Sequence, residues 1–312
     1  MTPMPVELSG ILPAMLTPFT DDGTAIDIEA VIANVARLLD AGCGGLIPGG
    51  STGEFTSLDR SERELLHATV VEAAHARVPV YPQTGAMTAQ EAIELSVQAE
   101  KVGAAGVMVV PPYYDRLPFA ALKRFYADVA GAISIPVMVY NIPSATGQHM
   151  TPAQVAELAD DIPRVSSVKD STGDASALTE LLERYGDRLQ VCNGWDSLTF
   201  FGLAAGAKAS VWGAANIFPE LAVELFTTIS ERCDMAAGRK IWSRLYPLVA
   251  FLEAESYPAR VKAACRLLGH SVGPVRPPLL DLDDGELKAL NELLTQVGLS
   301  AREPITSAGR SE

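Results

Sequence analysis

Along the chain, short runs of Val, Ile and Leu that stay apolar at consecutive positions alternate with longer stretches whose apolar residues recur every three or four positions. The first pattern predicts strands buried on both faces, the second amphipathic helices. Strands are predicted at 11–16, 45–48, 79–83, 106–110, 136–140, 165–169, 189–192 and 209–212. Ile28, Val31, Ile32, Val35, Leu38 and Leu39 form one face of a helix over 27–41. Ser57 or Asp59 caps a helix running to Ala76, with Glu62 placed for a capping box, and Thr88 opens a helix to Gly103 with Glu91 three residues on. Thr151-Pro152 pairs a cap with a proline at the first helical position, and helices over 174–185 and 196–205 follow.

Eight strands and seven helices between Ile11 and Trp212 give a mean repeat of about 25–30 residues, the size of one βα unit. The expected fold is α/β, a closed (β/α)8 barrel over 1–232. The rival is an open doubly wound sheet, and no GxGxxG follows the first strand to support it. After the eighth strand only helical signals appear, at 220–232, 235–254, 258–268 and 284–297. The first would be the barrel's eighth helix. The others predict a C-terminal helical extension over 233–300, in which the turn GPVRPPLLDLDDGE precedes the last helix, and 301–312 is read as a disordered tail.

The 312 residues suggest two domains by length alone, yet single barrels also run this long. Lys and Arg number 24 against 38 Asp and Glu, a net charge of −14, which disfavours a general nucleic-acid surface or attachment to anionic lipid. An anionic ligand must then be captured locally. Cys43, Cys192, Cys233 and Cys265 lie far apart without a CxxC pair, the pattern of reduced thiols in a cytoplasmic protein. His67 and His75 share a helix eight residues apart with no carboxylate set, so neither a metal nor another cofactor is expected. The start, MTPMPVELSG, has no signal-peptide pattern, and no run approaches 18 apolar residues.

Barrel active sites lie at the C-terminal ends of the strands, and the unusual polar residues cluster there. Gly49-Gly50-Ser51-Thr52-Gly53-Glu54 follows the second strand, Pro111-Pro112-Tyr113-Tyr114 the fourth, Asn141-Ile142-Pro143 the fifth, Asp170-Ser171 the sixth, and Asn193-Gly194-Trp195-Asp196 the seventh. Lys169 ends an otherwise uncharged strand and points into a crowded mouth, where a neutral amine can attack a ketone and form a Schiff base. The alternative is a lysine whose ammonium reaches solvent or pairs with Asp170. Tyr140 ends the adjacent strand, and its phenol can move protons as the carbinolamine loses water; packing is the simpler role for such a residue. The loop GGSTGEF suits a carboxylate, since its N–H groups and the hydroxyls of Ser51 and Thr52 are donors and it lacks the lysine of a nucleotide loop. Glu54 is read as structural, holding the loop through its backbone amides. An amine, a proton relay and a carboxylate cradle on one rim suit a 2-oxo acid.

With these residues the chain resembles the dihydrodipicolinate synthase and N-acetylneuraminate lyase family of class I, pyruvate-type aldolases. GSTGE at 50–54, PPYY at 111–114, YNIP at 140–143, VKD at 168–170 and GWDS at 194–197 carry the resemblance, over about 11–299. It implies that Lys169 is the Schiff-base lysine and Tyr140 the catalytic tyrosine, that Ser51 and Thr52 hold the pyruvate carboxylate, and that Ser51 and Tyr114 extend the relay. Because Tyr114 matches a tyrosine that reaches a neighbouring subunit, a homodimer or homotetramer is implied. Gly194 and Val211 match positions lining the pocket, and Asp170, Ser171, Trp195 and Asp196 are the candidates for its distal part. Two departures bear on the second reactant. Ala145 stands where dihydrodipicolinate synthases carry an arginine, and Ser197 where neuraminate lyases carry a glutamate. The nearest resemblance is therefore to 2-keto-3-deoxy sugar acid aldolases, which share YNxPxATG, VKD and a late PRPP-like segment, here Val275-Arg276-Pro277-Pro278. The expected reaction joins or splits pyruvate and an aldehyde. The alternatives are a dihydrodipicolinate synthase with a displaced arginine, a 2-keto-3-deoxy acid dehydratase, and a pyruvate-binding sensor.

Overall fold

The structure is a computed structural model and describes residues 7–300; the tail expected at 301–312 lies outside the described residues. Six strands form one parallel sheet: β1 (Gly10–Pro13), β2 (Val107–Val109), β3 (Val137–Asn141), β4 (Val165–Asp170), β5 (Gln190–Asn193) and β6 (Ala209–Trp212). Their order is β1-β6-β5-β4-β3-β2. The two other expected strands, 45–48 and 79–83, appear only as isolated bridges, Ala14 to Ile47, Leu46 to Val80 and Gln83 to Met108. Pro48, Pro79 and Pro82 have no N–H to give, and their carbonyls act as acceptors instead. Backbone hydrogen bonds nonetheless close the ring at each junction: Gly44 N–H to Ile11 O, Ile47 N–H to Pro13 O and Met15 N–H to Ile47 O; Leu46 N–H to Pro79 O, Tyr81 N–H to Leu46 O and Gln83 N–H to Pro48 O; Ala105 N–H to Val80 O, Met108 N–H to Pro82 O and Thr84 N–H to Met108 O, all between 2.9 and 3.0 Å. The result is a closed (β/α)8 barrel.

The helices are α1 (Ile28–Asp40), α2 (Arg60–Ala74), α3 (Ala89–Lys101), α4 (Phe119–Ala132), the single turn α5 (Pro143–Thr146), α6 (Pro152–Asp161), α7 (Ala175–Tyr185), α8 (Thr199–Ala204), α9 (Pro219–Phe226), α10 (Met235–Ala254), α11 (Tyr257–Leu267) and α12 (Asp284–Val297). Asp59, not Ser57, caps α2, with Glu62 completing the capping box, and Thr151 and Gln154 do the same for α6. The helix expected over 196–205 begins as a 3₁₀ turn at Asp196–Leu198, and α-helix follows at Thr199–Ala204.

Alternation along the strands sorts side chains into two cores. Val107, Val109, Val137, Val139, Val168 and Val191 face outward to pack under the helices, while Met108, Met138, Tyr140, Cys192 and Val211 fill the interior. Lys169 lies between the outward Val168 and Asp170, so it points inward. The helices α10, α11 and α12 share one apolar cluster with the outer face of β1 and β6, in which Trp212 packs edge-on to Phe218 at 5.4 Å.

One polar contact crosses this packing. Glu54 and Lys262, both fully buried, pair at 2.7 Å. Glu54 has φ 56°, which turns its side chain away from its own loop. Its other oxygen accepts from the Arg276 N–H at 2.9 Å. Glu54 therefore holds the loop as expected, but through the C-terminal segment and not through the loop's own amides. Arg276 also grips Glu62 with two nitrogens at 2.7 Å, which gives the Val275–Pro278 segment its structural role. Removing one member of a buried pair strands the other charge. Lys262→Met should lower unfolding free energy by about 3–5 kcal/mol, and Glu54→Gln combined with it should recover part of that loss. Urea unfolding checks both; additive losses would mean the two side chains do not act as a pair.

Candidate functional site

At the C-terminal end of the barrel a cavity of about 200 Å³ opens between the strand ends and the C-terminal helices. Its floor is the β3–β4 pair. Tyr140 and Lys169 are register partners on these strands, so their side chains emerge side by side. Both are buried, and the Lys169 Nζ lies 4.1 Å from the centre of the Tyr140 ring. That contact places the amine against the electron-rich face of the phenol ring.

Gly194 makes room for the lysine. A Cβ there would fall 2.6 Å from Lys169 Cγ and 2.4 Å from Ser171 Oγ. Ser171 donates to the Gly194 carbonyl at 2.7 Å, which ties the ends of β4 and β5 together. Val211 from β6 and Ala14 form the apolar side.

Ser51 and Thr52 form the opposite rim. In their turn the N–H groups of Gly53 and Glu54 are taken by the carbonyls of Gly50 and Ser51. The hydroxyls of Ser51 and Thr52 and the nearby backbone offer donors for a small anion, beside the only basic side chain of the lining, Lys169.

Around Asp196, which the sequence reading placed in the distal wall, stand Tyr257 and Glu253, which it did not anticipate. Asp196 accepts from the Ala214 N–H at 3.1 Å, from the Gly213 N–H at 3.4 Å and from the Tyr257 hydroxyl. Burial pushes its carboxyl up to about 7, against the lowering effect of the Tyr257 hydrogen bond and with a further push from Glu253. Burial and the Asp196 charge hold the Tyr257 phenol well above its ordinary range. Glu253 accepts from the Ser197 N–H at 2.9 Å and also lines the cavity. Tyr257 sits one position before the helix start that the sequence suggested, at Pro258. Nothing local announces that it reaches a residue 61 positions earlier.

Most candidates from the sequence converge here: Lys169, Tyr140, Ser51, Thr52, Ser171, Gly194, Trp195, Asp196 and Val211 all line the cavity. Asp170 does not. Alternation turns it outward, where it accepts from Thr172 Oγ1 at 2.9 Å and from Asn141 Nδ2 at 3.4 Å. Tyr114 is 85% exposed and stands outside the cavity of its own chain. Ala145 is exposed on α5, and beside that turn lies Arg116, whose Nε is 3.9 Å from the position of a Cβ on Gly147. Among the described residues no three His, Cys, Asp or Glu side chains gather to hold a metal ion, and no helix is long and apolar enough to cross a membrane.

A (β/α)8 barrel with an inward lysine beside a tyrosine at its C-terminal mouth defines a class of lyase scaffold. Residues 7–297 match the model of the dihydrodipicolinate synthetase family, and the chain belongs to that family of class I, pyruvate-type aldolases. It is 36% identical over 296 residues to the 4-hydroxy-tetrahydrodipicolinate synthase of Methanopyrus kandleri, covering 95% of this chain and 98% of that one. The enzyme of the same name from Sorangium cellulosum is 35% identical over 290 residues, with 93% and 96% covered. Among solved structures, a prophage protein of E. coli K12 from the dihydrodipicolinic acid synthase family, in complex with pyruvate, superposes with a TM-score of 0.89 at 32% identity, over 93% of this chain and 99% of that one. The chloride-inhibited dihydrodipicolinate synthase of Acinetobacter baumannii complexed with pyruvate gives 0.90 at 27%, over 94% and 100%. These names favour the synthase alternative over the sugar-acid expectation.

Two outcomes test the geometry. Gly194→Ala should push the Lys169 stem aside and lower kcat/KM about 100-fold with little change in fold; an unaltered rate would show that the lysine has room to spare. Burial raises Asp170 from 3.8 to about 6, so the folded state favours its acid form. The stability this contributes is full below about 4 and is lost as pH rises through about 6. Asp170→Asn should flatten the thermal midpoint across that window, whereas an unchanged pH slope would show the carboxyl to be solvated.

Proposed function

We propose that the chain binds pyruvate as a Schiff base on Lys169 and joins it to an aldehyde. The contact between the buried Lys169 amine and the Tyr140 ring, at the floor of a cavity with a donor-lined rim, carries this reading. The neutral amine attacks the C2 ketone. Tyr140, relayed through Ser51 and through Tyr114 of a neighbouring copy, protonates the carbinolamine oxygen, and water leaves. The resulting iminium draws electrons from C3, and loss of a C3 proton gives the enamine that attacks the aldehyde carbon. Ser51 and Thr52 hold the carboxylate throughout.

For the aldehyde, the relatives named 4-hydroxy-tetrahydrodipicolinate synthase support aspartate semialdehyde. In this reading Arg116, beside the turn that carries Ala145, supplies the guanidinium missing from that turn. A second reading, a 2-keto-3-deoxy sugar acid split into pyruvate and a hydroxyaldehyde, is favoured by the distal wall. That wall holds Asp196 and Glu253 and no arginine, a poor match for a second carboxylate.

Borohydride with pyruvate should leave one reduced adduct on Lys169, located by peptide mass mapping. Tyr140→Phe should slow turnover by about 10²–10⁴-fold. Condensation with aspartate semialdehyde, run beside pyruvate release from a panel of 2-keto-3-deoxy acids, separates the two partners, and Arg116→Ala should weaken only the first. No adduct, or one on another lysine, removes the Schiff-base reading.

A further inference from the structure

A relay through Tyr114 of a neighbouring copy needs that phenol held at a fixed place outside its own barrel. Yet Tyr114 stands between β2 and α4 on a stretch without regular secondary structure, and it is 85% exposed, so its own side chain does not fix it. The backbone around it is held by one buried side chain from another loop. Gln148 follows the turn α5, on the chain that leaves β3, and is 3% exposed. Its Nε2 donates to the Pro112 carbonyl at 3.3 Å and to the Asp115 carbonyl. Its Oε1 accepts from the Leu117 N–H at 3.1 Å. Both donor bonds and the acceptor bond of one amide thus go to a single segment, and the two carbonyls lie on either side of Tyr113 and Tyr114. Gln148 is itself fixed: its backbone N–H donates to Thr146 Oγ1 at 3.1 Å, and the Thr146 hydroxyl donates to the Ile142 carbonyl at 2.9 Å. At the opposite side of the segment Tyr113 packs edge-on against Phe55, ring centres 5.8 Å apart at 86°, and the buried Arg63 guanidinium lies 5.4 Å from the Phe55 ring centre. Tyr113 anchors the segment inward while Tyr114 faces out.

We propose that Gln148 is a positioning residue for the proton relay: its amide clamps residues 112–117 so that Tyr114 is presented at the surface for a neighbouring copy. This rests on the reading of Tyr114 as a relay residue. A primary amide suits the task because it carries donors and an acceptor in one plane, while an irregular segment has carbonyls and N–H groups that no ladder pairs. Without the clamp, two carbonyls and one N–H of the segment lose their partner, and the backbone regains the conformational freedom that ordering had removed. The contact of Tyr113 with Phe55 restrains one side chain; the Gln148 bonds restrain the backbone before and after Tyr114. Gln148 does not line the cavity, and no proton passes through it. Its effect on the chemistry runs through the placement of Tyr114. Methionine in its place would fill a similar volume and make none of the three hydrogen bonds. Asparagine would keep the amide but fall one methylene short of the segment.

The test follows exchange of the C3 protons of pyruvate in deuterated water by NMR, with the full-length enzyme and no aldehyde. This exchange needs the Schiff base and the relay but not the second reactant, so Arg116, which lies on the same segment, does not enter. Gln148→Met should slow the exchange about 10–100-fold, with the thermal midpoint recorded beside it, and Tyr114→Phe about 100-fold or more. In the double variant the Gln148→Met loss should vanish, since displacing a phenol costs nothing once its hydroxyl is gone. A merely structural Gln148 would add its loss in either background. Wild-type exchange in Gln148→Met, or additive losses in the double variant, overturns the clamp. If Gln148→Met fails to fold, Gln148→Asn takes its place with the same two outcomes. Wild-type exchange in Tyr114→Phe points instead to failure of the relay reading, and absence of both exchange and a borohydride adduct in the wild type to failure of the Schiff-base reading.

Discussion

The buried pair of Glu54 and Lys262 is the contact on which the geometry of the site depends. Glu54 closes the loop that carries Ser51 and Thr52, and Lys262 lies on α11, five residues from Tyr257. One ion pair thus fixes a loop of the barrel to the helix that supplies its distal wall. Burial draws the Lys262 ammonium down to about 8, against the raising effect of Glu54. A lone charge at that place is unfavourable, so loop and helix hold their positions together. The backbone N–H of Arg276 accompanies the pair, and the guanidinium of Arg276 and the ammonium of Lys262 lie over Phe19, 4.1 and 3.9 Å from its ring centre. A packed aromatic ring keeps water from the ion pair, which makes the pairing stricter.

The barrel was legible because its strands are buried on both faces and its helices carry marked caps. Thr151-Pro152, Asp59 with Glu62 and the apolar face of α1 announce themselves locally. Lys169 and Tyr140 were legible for a related reason: each breaks an apolar run at the end where barrels place their chemistry. The inward aim of Lys169 and the outward aim of Asp170 follow from alternation alone, yet the proximity of Asp170 to Lys169 in sequence drew it into the candidate site. Tyr257 and Glu253 could not be read in this way. Their role depends on how α10 and α11 dock against the barrel, a tertiary contact 61 residues long for Tyr257 and Asp196, and neither residue interrupts a local pattern.

The net charge of −14 is resolved locally. Lys169 and the hydroxyls of Ser51 and Thr52 face the place assigned to the pyruvate carboxylate, while Asp196 and Glu253 line the same cavity. The acids are held by hydrogen bonds from Gly213, Ala214, Tyr257 and Ser197, so their charge is engaged by the protein.

The prolines at 48, 79 and 82 leave a seam in the barrel. Three of its residues lack an N–H, yet the segments around Ile47 and Val80 are each joined to both neighbours by three backbone hydrogen bonds. The loop of Ser51 and Thr52 leaves directly from one edge of this seam. Its freedom is then restrained from the far side, by Glu54, and a loosening of the C-terminal helices would be felt first at Ser51 and Thr52 and last at Lys169.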